Sequence, residues 1–354
     1  MNLGFLDTLF AFVVVLGLAV LVHEAGHFLM AKALGVRVLE FAVGFPPKLF
    51  TLFERNGTKY NVCALPIGGY VRLAGTEPHE EAGPDGFNSK PAWQRILVYA
   101  AGPFMNFVLA AVIFIGMGVT IGIPERGYDA GVMEVIAGQP AEKAGFRIGD
   151  RVVAINGERV DMEKMLKTVH ASAGRPLTIT VDRGGKSVDL RVTPRLTDSG
   201  VGQIGVRLQG MGEPVYRRVG VLAAVAYGAD TTLRWTRETV LGVGRMLYDR
   251  EARESVGGPV AIARVAGRAF RDGAVTFFTF LAAISVNLGV LNLLPLLVVD
   301  GGHIALLLLE WVRGRKLQPS LQVSIQVVGM VLILLGMAML TVRDINNWVG
   351  GKPF

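Results

Sequence analysis

Two histidines and a glutamate near the N-terminus have the spacing of metal ligands around a general base. His23, Glu24 and His27 form the pattern HExxH. On a helix, the two imidazoles lie on one face, four residues apart, where both can reach one Zn²⁺. Glu24 cannot easily ligate the same ion as its helical neighbours, so its carboxylate is placed to take a proton from a water molecule. The alternative is a pair of histidines packed in a helix interface.

The motif closes an apolar run instead of lying in a soluble loop. Phe10 to Val22 contains no charged residue, and with its flanks this run is long enough to enter a bilayer. Ionisable groups inside a membrane segment are costly, and they mark functional sites. The combination predicts a metal-dependent protease whose active site lies below the membrane surface.

The composition is that of a membrane protein. Of the 354 residues, 51% are hydrophobic and 18% are charged, and the mean hydropathy is +0.44. These values are too apolar for an ordinary soluble enzyme and fit a polytopic membrane protein with a soluble insert. The net charge of +7 arises from dispersed basic residues, so nucleic acid is not an expected partner. Cys63 is the only cysteine, which excludes an intrachain disulfide and a thiolate zinc site.

Four segments are apolar enough to span a bilayer, each near the required ~20 residues. They cover about 5–30, 93–121, 275–299 and 321–340. Lys and Arg residues occur in both short loops, between the first and second segments and between the third and fourth, and none precedes the first segment. The positive-inside rule therefore places both short loops in the cytoplasm, and both termini and the long loop outside.

A third metal ligand is expected, because a catalytic zinc takes three protein ligands and leaves one position for water. The first and third spans run in the same direction, so Asp300, at the inner end of the third, reaches the depth of the HExxH motif. Asp300 is therefore the strongest candidate, and His303 and Glu310 are weaker alternatives. Without a metal, Asp300 would be a C-terminal cap of a long apolar helix or a turn residue.

The first cytoplasmic loop contains a β pattern. Thr58 to Leu73 predicts short strands around a Gly68-Gly69 turn, within a β-loop at about 58–75. Irregular backbone near membrane depth must be buried in protein or line a cavity. A loop that dips toward the active site meets this condition, and its exposed edge could pair with an extended substrate, which makes Gly68 and Gly69 candidate substrate-binding residues. The alternative is a plain cytoplasmic hairpin.

The long loop contains a small α+β domain. Gly131 to Pro194 predicts a strand, a short helix, a strand, a longer helix and a hairpin. This order, with the stretch PAEKAGFRIGDRVVAING, resembles a bacterial PDZ domain, which implies binding of extended peptides by strand addition. A folded spacer that keeps bulky proteins from the membrane is the compatible alternative. Tyr216 to Glu254 predicts an amphipathic helix, with Trp235, Leu241 and Met246 on its apolar side.

The predicted domains are an N-terminal membrane core, the PDZ domain, an extracytoplasmic helical linker and a C-terminal membrane core. Their ranges are 1–123, 124–200, 201–272 and 273–354.

The chain resembles the site-2 protease family of intramembrane zinc metalloproteases, and most closely its bacterial RseP/RasP branch with a single PDZ domain. The resemblance rests on HEAGH in the first span, NLLPLLVVDGG in the third, and the PDZ domain between them. Further blocks of the family pattern are KPAWQR, AGPFMN, IGGYV and GGPVAIA, which lie at 90–95, 101–106, 67–71 and 257–263.

This resemblance implies zinc bound by His23, His27 and Asp300, with Glu24 catalytic. It also implies that Asn292 and the turn at Pro295 hold a substrate in extended form near the zinc. The substrates it implies are single-pass proteins of the bacterial inner membrane, such as anti-sigma factors or signal-peptide remnants, cut within their transmembrane helices.

Two positions depart from the family pattern. Leu297 stands where a second proline is usual, and Pro46 stands where glycine is more frequent. Both departures concern the geometry of the substrate strand more than the metal site.

The predicted fold is a polytopic α-helical membrane protein with four transmembrane helices, a membrane-associated β-loop and an extracytoplasmic PDZ domain. The predicted function is intramembrane zinc endopeptidase, with its active site toward the cytoplasmic side. The alternatives are a catalytically inert PDZ-bearing membrane scaffold and a metal transporter that passes ions through the same ligands. The intact ligand set argues against the scaffold, and the scarcity of further ionisable residues in the second and fourth spans argues against the transporter.

Asn287, within the third span, is interpreted as an interhelical hydrogen-bonding residue.

Overall fold

The computed structural model describes residues 3–76, 83–197, 200–212, 215–250, 253, 256–296, 298–314 and 319–349. The chain forms two compact units. Unit 1 combines Met1–Met117 with Val221–Phe354 and contains the HExxH motif, whereas unit 2 is the insert Gly118–Gly220.

The helices of the described residues are α1 (Leu3–Ala33), α2 (Ala92–Thr120), α3 (Pro140–Ala144), α4 (Met162–Ala171), α5 (Val221–Arg245), α6 (Pro259–Arg271), α7 (Ala274–Leu293), α8 (Asp300–Arg313) and α9 (Pro319–Val349). The strands are β1 (Val38–Arg55), β2 (Thr58–Leu73), β3 (Ile123–Arg126), β4 (Asp129–Val135), β5 (Arg151–Ile155), β6 (Glu158–Arg159), β7 (Leu177–Arg183), β8 (Lys186–Val192), β9 (Arg195–Leu196), β10 (Gly202–Gln203), β11 (Val206–Met211) and β12 (Val215–Arg217).

Within the described residues, four helical segments are long and apolar enough to cross a membrane, which confirms the predicted membrane fold. These segments are Gly4–Ala33, Ala92–Thr120, Ala274–Leu293 and Gln326–Asn347.

The third span is shorter than predicted. Helix α7 ends at Leu293, and Leu294 adopts an extended conformation with φ −63° and ψ 146°. Pro295 explains this end, because proline disfavours the helical conformation of the residue before it and lacks an N–H donor. Asp300 is the first residue of α8, so its interpretation as a C-terminal cap of the third span is wrong.

The β-loop is larger than predicted, because β1 precedes it and pairs with β2. Residues 38–43 pair with 69–73 on one side and with 59–62 on the other, and 48–55 pair with 58–63. The two chain segments therefore form four adjacent strands, with 69–73 at one edge. Several large apolar side chains of β1 and β2 are exposed, as expected of a membrane-associated loop. They are Val43, Phe45, Leu49, Phe50, Leu52, Phe53 and Leu65.

Apolar side chains also hold the helices of unit 1 together. Val15 of α1 packs with Ala266 of α6 and Phe277 of α7, while Phe114 of α2 packs with Val286 of α7. Asp344 of α9 is fully buried and accepts hydrogen bonds from the backbone N–H groups of Gly258 and Ala261 at the start of α6. These N–H groups have no partner within the helix, so the carboxylate satisfies them and ties α9 to α6.

Helix α5 supplies the interhelical bond predicted for Asn287. The Thr239 hydroxyl donates to the Asn287 side-chain oxygen at 2.8 Å, and Trp235 lies against Phe114 with ring centroids 5.9 Å apart. The helix ends at Arg245, so Met246 lies just beyond it.

Unit 2 contains the predicted strands and helices of the PDZ domain. Its main sheet has the order β11-β4-β5-β7-β8, with β6 pairing with β5, and α4 covers the predicted residues Met162–Ala171. Strand β11 lies beyond the expected boundary at residue 200, but it belongs to this sheet because it pairs with β4. The unit therefore extends further than the sequence-based range.

A buried ion pair stabilises unit 2. Asp150 is fully buried, and Arg183 binds both of its carboxylate oxygens at 2.7 Å. Burial alone would raise the pKa of Asp150, but the hydrogen bonds from Arg183 and from the Arg147 N–H lower the pKa below its usual value. The pair therefore stabilises the unit above about pH 4, the unfolded pKa, and this contribution is lost as pH falls through the lower folded pKa.

We expect Asp150→Asn to destabilise unit 2 by about 2–3 kcal/mol at neutral pH. This is less than the loss at a fully buried pair, because Arg183 keeps some contact with water. The loss should shrink at acid pH, where the Asp150 carboxyl of the wild type is protonated and, like the asparagine of the variant, carries no charge. Hydrogen exchange of β5 and β7 in the whole protein measures it, with the exposed Asp189→Asn as the control. Equal protection of both variants at neutral pH would contradict this role.

Candidate metal centre

A cavity of about 480 Å³ lies where α1, β2, α2, α7 and α8 meet. Its walls carry the HExxH residues and Asp300. The full lining is Val20, His23, Glu24, His27, Val71, Leu73, Thr76, Phe87, Val98, Tyr99, Leu288, Asn292, Val298, Val299, Asp300 and His303.

The structure brings three predicted ligands together. The Nε2 atoms of His23 and His27 lie 3.1 Å apart. The Asp300 carboxylate places Oδ2 3.1 Å from His23 Nε2 and Oδ1 3.5 Å from His27 Nε2. In the described part of the chain, these residues form the one group whose ligand atoms lie within 4.8 Å of one another.

The donor set fits zinc in both chemistry and size. Two imidazole nitrogens and a carboxylate oxygen are ligands that Zn²⁺ prefers. A tetrahedral ion with bonds of about 2.0–2.1 Å requires ligand atoms roughly 3.3 Å apart. The three separations, from 3.1 to 3.5 Å, bracket that value.

Glu24 lies beside the ligands but outside their group. Its side chain lines the cavity, and the Val71 backbone hydrogen-bonds to the carboxylate. This bond orients Glu24 between the metal ligands and the edge strand 69–73. The carboxylate is therefore held at the wall of the cavity that contains the three candidate ligands.

Local backbone features place Asp300 opposite the histidines. The break at Pro295 ends α7 and lets α8 begin at Asp300. Gly301 follows directly, and a Cβ atom there would overlap the backbone of Leu293 and Leu294. Glycine therefore allows α8 to start against the end of α7, which brings the carboxylate into the cavity.

Two glycines allow α2 to approach α1 closely at the candidate ligands. A Cβ atom on Gly26 would overlap the Ala101 backbone, and one on Gly102 would overlap the His27 imidazole and lie 2.8 Å from His23 Cε1. The close approach also supplies a hydrogen bond, from His27 Nδ1–H to the Val98 carbonyl at 2.8 Å. That bond leaves Nε2 of His27 as the nitrogen with a free lone pair.

We expect Gly102→Ala to lower zinc affinity by at least about tenfold, the lower end of the effect of disturbing groups that orient metal ligands. The added methyl group would force both imidazoles away from Asp300. Gly116→Ala is the matched control, because Gly116 lies on the same helix and a Cβ atom there would meet nothing within 4 Å. Zinc titration of the two purified variants measures the difference. Equal affinities would contradict the packing of Gly102 against the ligands.

Of the predicted substrate-binding residues, Asn292 belongs to the lining of the cavity, whereas Gly68, Gly69 and Pro295 do not. Gly69 is close to Glu24, since its Cβ would lie 3.9 Å from Glu24 Cγ, and Gly68 lies against Val20 of α1 with φ +119°. Asn292 lines the cavity, and its Nδ2 lies 3.5 Å from His23 Nδ1. Pro295 is exposed in the segment between α7 and α8.

Of the two departures from the family pattern, the one at Pro46 lies within the described residues. Pro46 lies in the exposed part of β1, and a cis peptide bond joins it to Pro47. Leu297 lies outside the described residues.

The two weaker candidates for the third ligand have other partners. His303 lines the cavity but stacks on Tyr99, with ring centroids 4.7 Å apart and planes 5° apart. Glu310 is buried and forms an ion pair with Arg95 at 3.4 Å.

Sequence reasoning gave no role to Gly102 or Asn106. Asn106 is fully buried, and its Nδ2 lies 3.2 Å from His23 Nδ1. A signal was available, because a polar amide within a membrane span is costly. Gly102 and Asn106 are also four residues apart and so share one helix face.

Residues 11–336 match the model of peptidase family M50. The zinc metalloprotease RasP of Geobacillus kaustophilus is 30% identical to this chain over 97% of it and 99% of the relative. The regulator of sigma-W protease RasP of Bacillus subtilis is 29% identical over the same shares. Among solved structures, the PDZ domain of the SdrC-like protein from Listeria monocytogenes matches 24% of this chain and 90% of that domain, at 21% identity and a TM-score of 0.22. Because the family match extends from the first membrane helix into the last, the chain belongs to peptidase family M50, the site-2 proteases.

Proposed function

We propose that His23, His27 and Asp300 hold the zinc of this intramembrane endopeptidase and that Glu24 is its general base. The observation that supports this most is the convergence of three ligand atoms within 4.8 Å. Glu24 lies on the wall of the same cavity. The inert scaffold and the transporter are not favoured, because one relative is a zinc metalloprotease and another is a protease.

The chemical properties of zinc and of the Glu24 carboxylate indicate the role of each in the reaction. Bound zinc supplies a Lewis acid that polarises a peptide carbonyl and lowers the pKa of water. Glu24 takes a proton from the attacking water and passes it to the leaving amine. The Val71 backbone bond keeps the Glu24 carboxylate directed into the cavity.

The edge strand 69–73 is the proposed docking strand for the substrate. A peptide bond in a helix is shielded by its own hydrogen bonds, so the substrate must be extended before water can attack. Strand 69–73 lies at a sheet edge, and its Val71 backbone hydrogen-bonds to Glu24. Pairing with this edge would hold an extended substrate beside the base, and Asn292 would contact its freed backbone from the opposite wall. The proposed substrates are single-pass membrane proteins such as anti-sigma factors and signal-peptide remnants.

The proposed location is the bacterial inner membrane, with unit 2 on the extracytoplasmic side and the metal centre toward the cytoplasm. The distribution of Lys and Arg supports this orientation. Strand β11 lies at one edge of the unit 2 sheet, which is what peptide binding by strand addition requires. Unit 2 must also lie on the extracytoplasmic side if it acts as a size filter against large ectodomains.

Metal removal tests the proposed function. We expect a zinc chelator to abolish cleavage of a single-pass membrane substrate in proteoliposomes, and stoichiometric zinc to restore it. Magnesium at the same concentration should not restore it, because two imidazoles and a carboxylate do not form the oxygen-rich site that magnesium prefers. Cleavage that persists after complete zinc removal would contradict the proposal.

Labelling with a membrane-impermeant maleimide tests the orientation. In a Cys63→Ser background, Ser187→Cys on unit 2 should react in intact spheroplasts. Asn88→Cys, on the loop before α2, should react only after lysis. The reverse pattern would show that unit 2 is cytoplasmic.

A further inference from the structure

Asn106 of α2 is in contact with the proposed metal centre without being a ligand. The residue is fully buried in the membrane core. Its side-chain amide lies 3.2 Å from Nδ1 of His23, the ring nitrogen opposite the one that faces His27 and Asp300. A buried amide that contacts a ligand imidazole can determine which ring nitrogen carries the proton and which one is free to bind a metal.

The chemistry of metal binding determines what Asn106 must do. A neutral imidazole that binds a metal through Nε2 carries its proton on Nδ1. His23 Nδ1–H is therefore a donor and needs an acceptor. The two ends of an asparagine amide are similar in size, and the hydrogen-bond network decides their orientation. Asn106 must therefore present its carbonyl oxygen to His23. If its amino group faced His23 instead, Nδ1 would have to accept, the proton would lie on Nε2, and Nε2 could not bind the metal.

Ser285 of α7 completes a consistent network. Its hydroxyl is fully buried and donates to the Asn106 backbone carbonyl at 2.9 Å. The same hydroxyl oxygen lies 3.5 Å from the other end of the Asn106 amide. With the carbonyl toward His23, the amino group faces Ser285, whose oxygen can accept. Every polar atom of the network then has a compatible partner.

Asn292 is the competing partner for His23. Its amide lies 3.5 Å from the same Nδ1 atom, farther than Asn106, and it also lines the cavity. A single N–H donor is best satisfied by one close acceptor, and the shorter contact belongs to the fully buried residue. Asn292 is thus left available to a substrate.

We propose that Asn106, held by Ser285, is the positioning residue that fixes the metal-binding tautomer of His23. This inference rests on the proposed zinc site. It divides the two asparagines at His23 between two tasks: Asn106 orients the ligand, and Asn292 contacts the substrate.

Zinc affinity, measured by chelator competition on the purified full chain, separates these tasks. Asn106→Leu should weaken zinc binding by about 10–100-fold, the usual effect of removing such a partner. Asn106→Asp keeps an acceptor and should bind zinc within about threefold of wild type, as in carboxylate–histidine–zinc arrangements. Ser285→Ala should cost about fivefold, the effect of one hydrogen bond. Asn292→Leu should leave zinc affinity unchanged and raise the KM for the substrate.

The outcomes distinguish this inference from the proposed function. If His23→Ala binds zinc as wild type does, the zinc site itself is wrong. If His23→Ala loses zinc but Asn106→Leu does not, only the role of Asn106 is overturned. The role is also overturned if Asn106→Asp binds zinc as poorly as Asn106→Leu. Should Asn106→Leu fail to fold, the Asp and Ser285→Ala variants decide, and zinc affinity within twofold of wild type for Ser285→Ala would count against the network.

Discussion

Glutamine in place of Glu24 is expected to stop peptide hydrolysis while leaving zinc bound. The amide has nearly the size of the carboxylate and can keep its place on the cavity wall, but it cannot take a proton from water. General-base catalysis contributes about 10²–10⁴-fold to a rate, so single-turnover cleavage should slow by that factor. Zinc content should stay at the wild-type level, because Glu24 lies outside the group of ligand atoms.

This prediction requires both readouts on the same preparation. Cleavage of a single-pass substrate in proteoliposomes gives the rate, and metal analysis of the purified variant gives the zinc content. Glu142→Gln is a suitable control, since Glu142 is exposed on unit 2. Cleavage by zinc-loaded Glu24→Gln at the wild-type rate would contradict the assigned base. Loss of zinc would instead make Glu24 a ligand.

Alanine in place of Asp300 is expected to remove zinc from the site. Only the two imidazoles would then remain, from neighbouring turns of one helix, with no group opposite them. Removal of an outer partner of a ligand already costs about 10–100-fold in metal affinity, so loss of a ligand should exceed about 100-fold. Chelator competition measures this affinity, and thermal unfolding of the zinc-free proteins shows whether the fold is kept.

The same helix provides the matched controls for Asp300. His303 and Glu310 were the alternative ligands, and both have other partners, Tyr99 and Arg95. His303→Ala and Glu310→Gln should therefore retain wild-type zinc affinity. Undiminished zinc binding by Asp300→Ala, or a larger loss in either control, would require a different third ligand.

The proximity of the three proposed ligands could be predicted because it depends on local geometry and on topology. His23 and His27 share a helix face, so their spacing alone brings their imidazoles together. Asp300 is distant in sequence, but two spans that run in the same direction end at the same depth. Neither argument needs the packing of side chains, which a single sequence does not reveal.

The local structure around Asp300 was harder to predict from the sequence. An apolar run from 275 to 299 predicts one long span, and Pro295 was recognised as a helix breaker. The pattern does not show, however, that a new helix begins five residues later. That depends on Gly301 packing against the end of α7, a tertiary contact. The carboxylate therefore belongs to the start of α8 and not to the end of the span.

Strand β1 was missed because its sequence contradicts strand rules. Pro46 and Pro47 interrupt it, and proline cannot donate to a strand ladder. The structure accommodates them with an irregularity in register between Phe45 and Lys48. Gly102 and Asn106 were missed for a different reason, since their importance arises only where α2 crosses α1.

The position of the cleaved bond tests the central claim most directly. Wild-type protein and Glu24→Gln, both zinc-loaded in proteoliposomes, would be given a single-pass substrate, and mass spectrometry would identify the new termini. We predict new termini within the apolar segment of the substrate for the wild type and none above background for Glu24→Gln. Termini confined to the soluble flanks, or the same intramembrane cut by both proteins, would contradict the account.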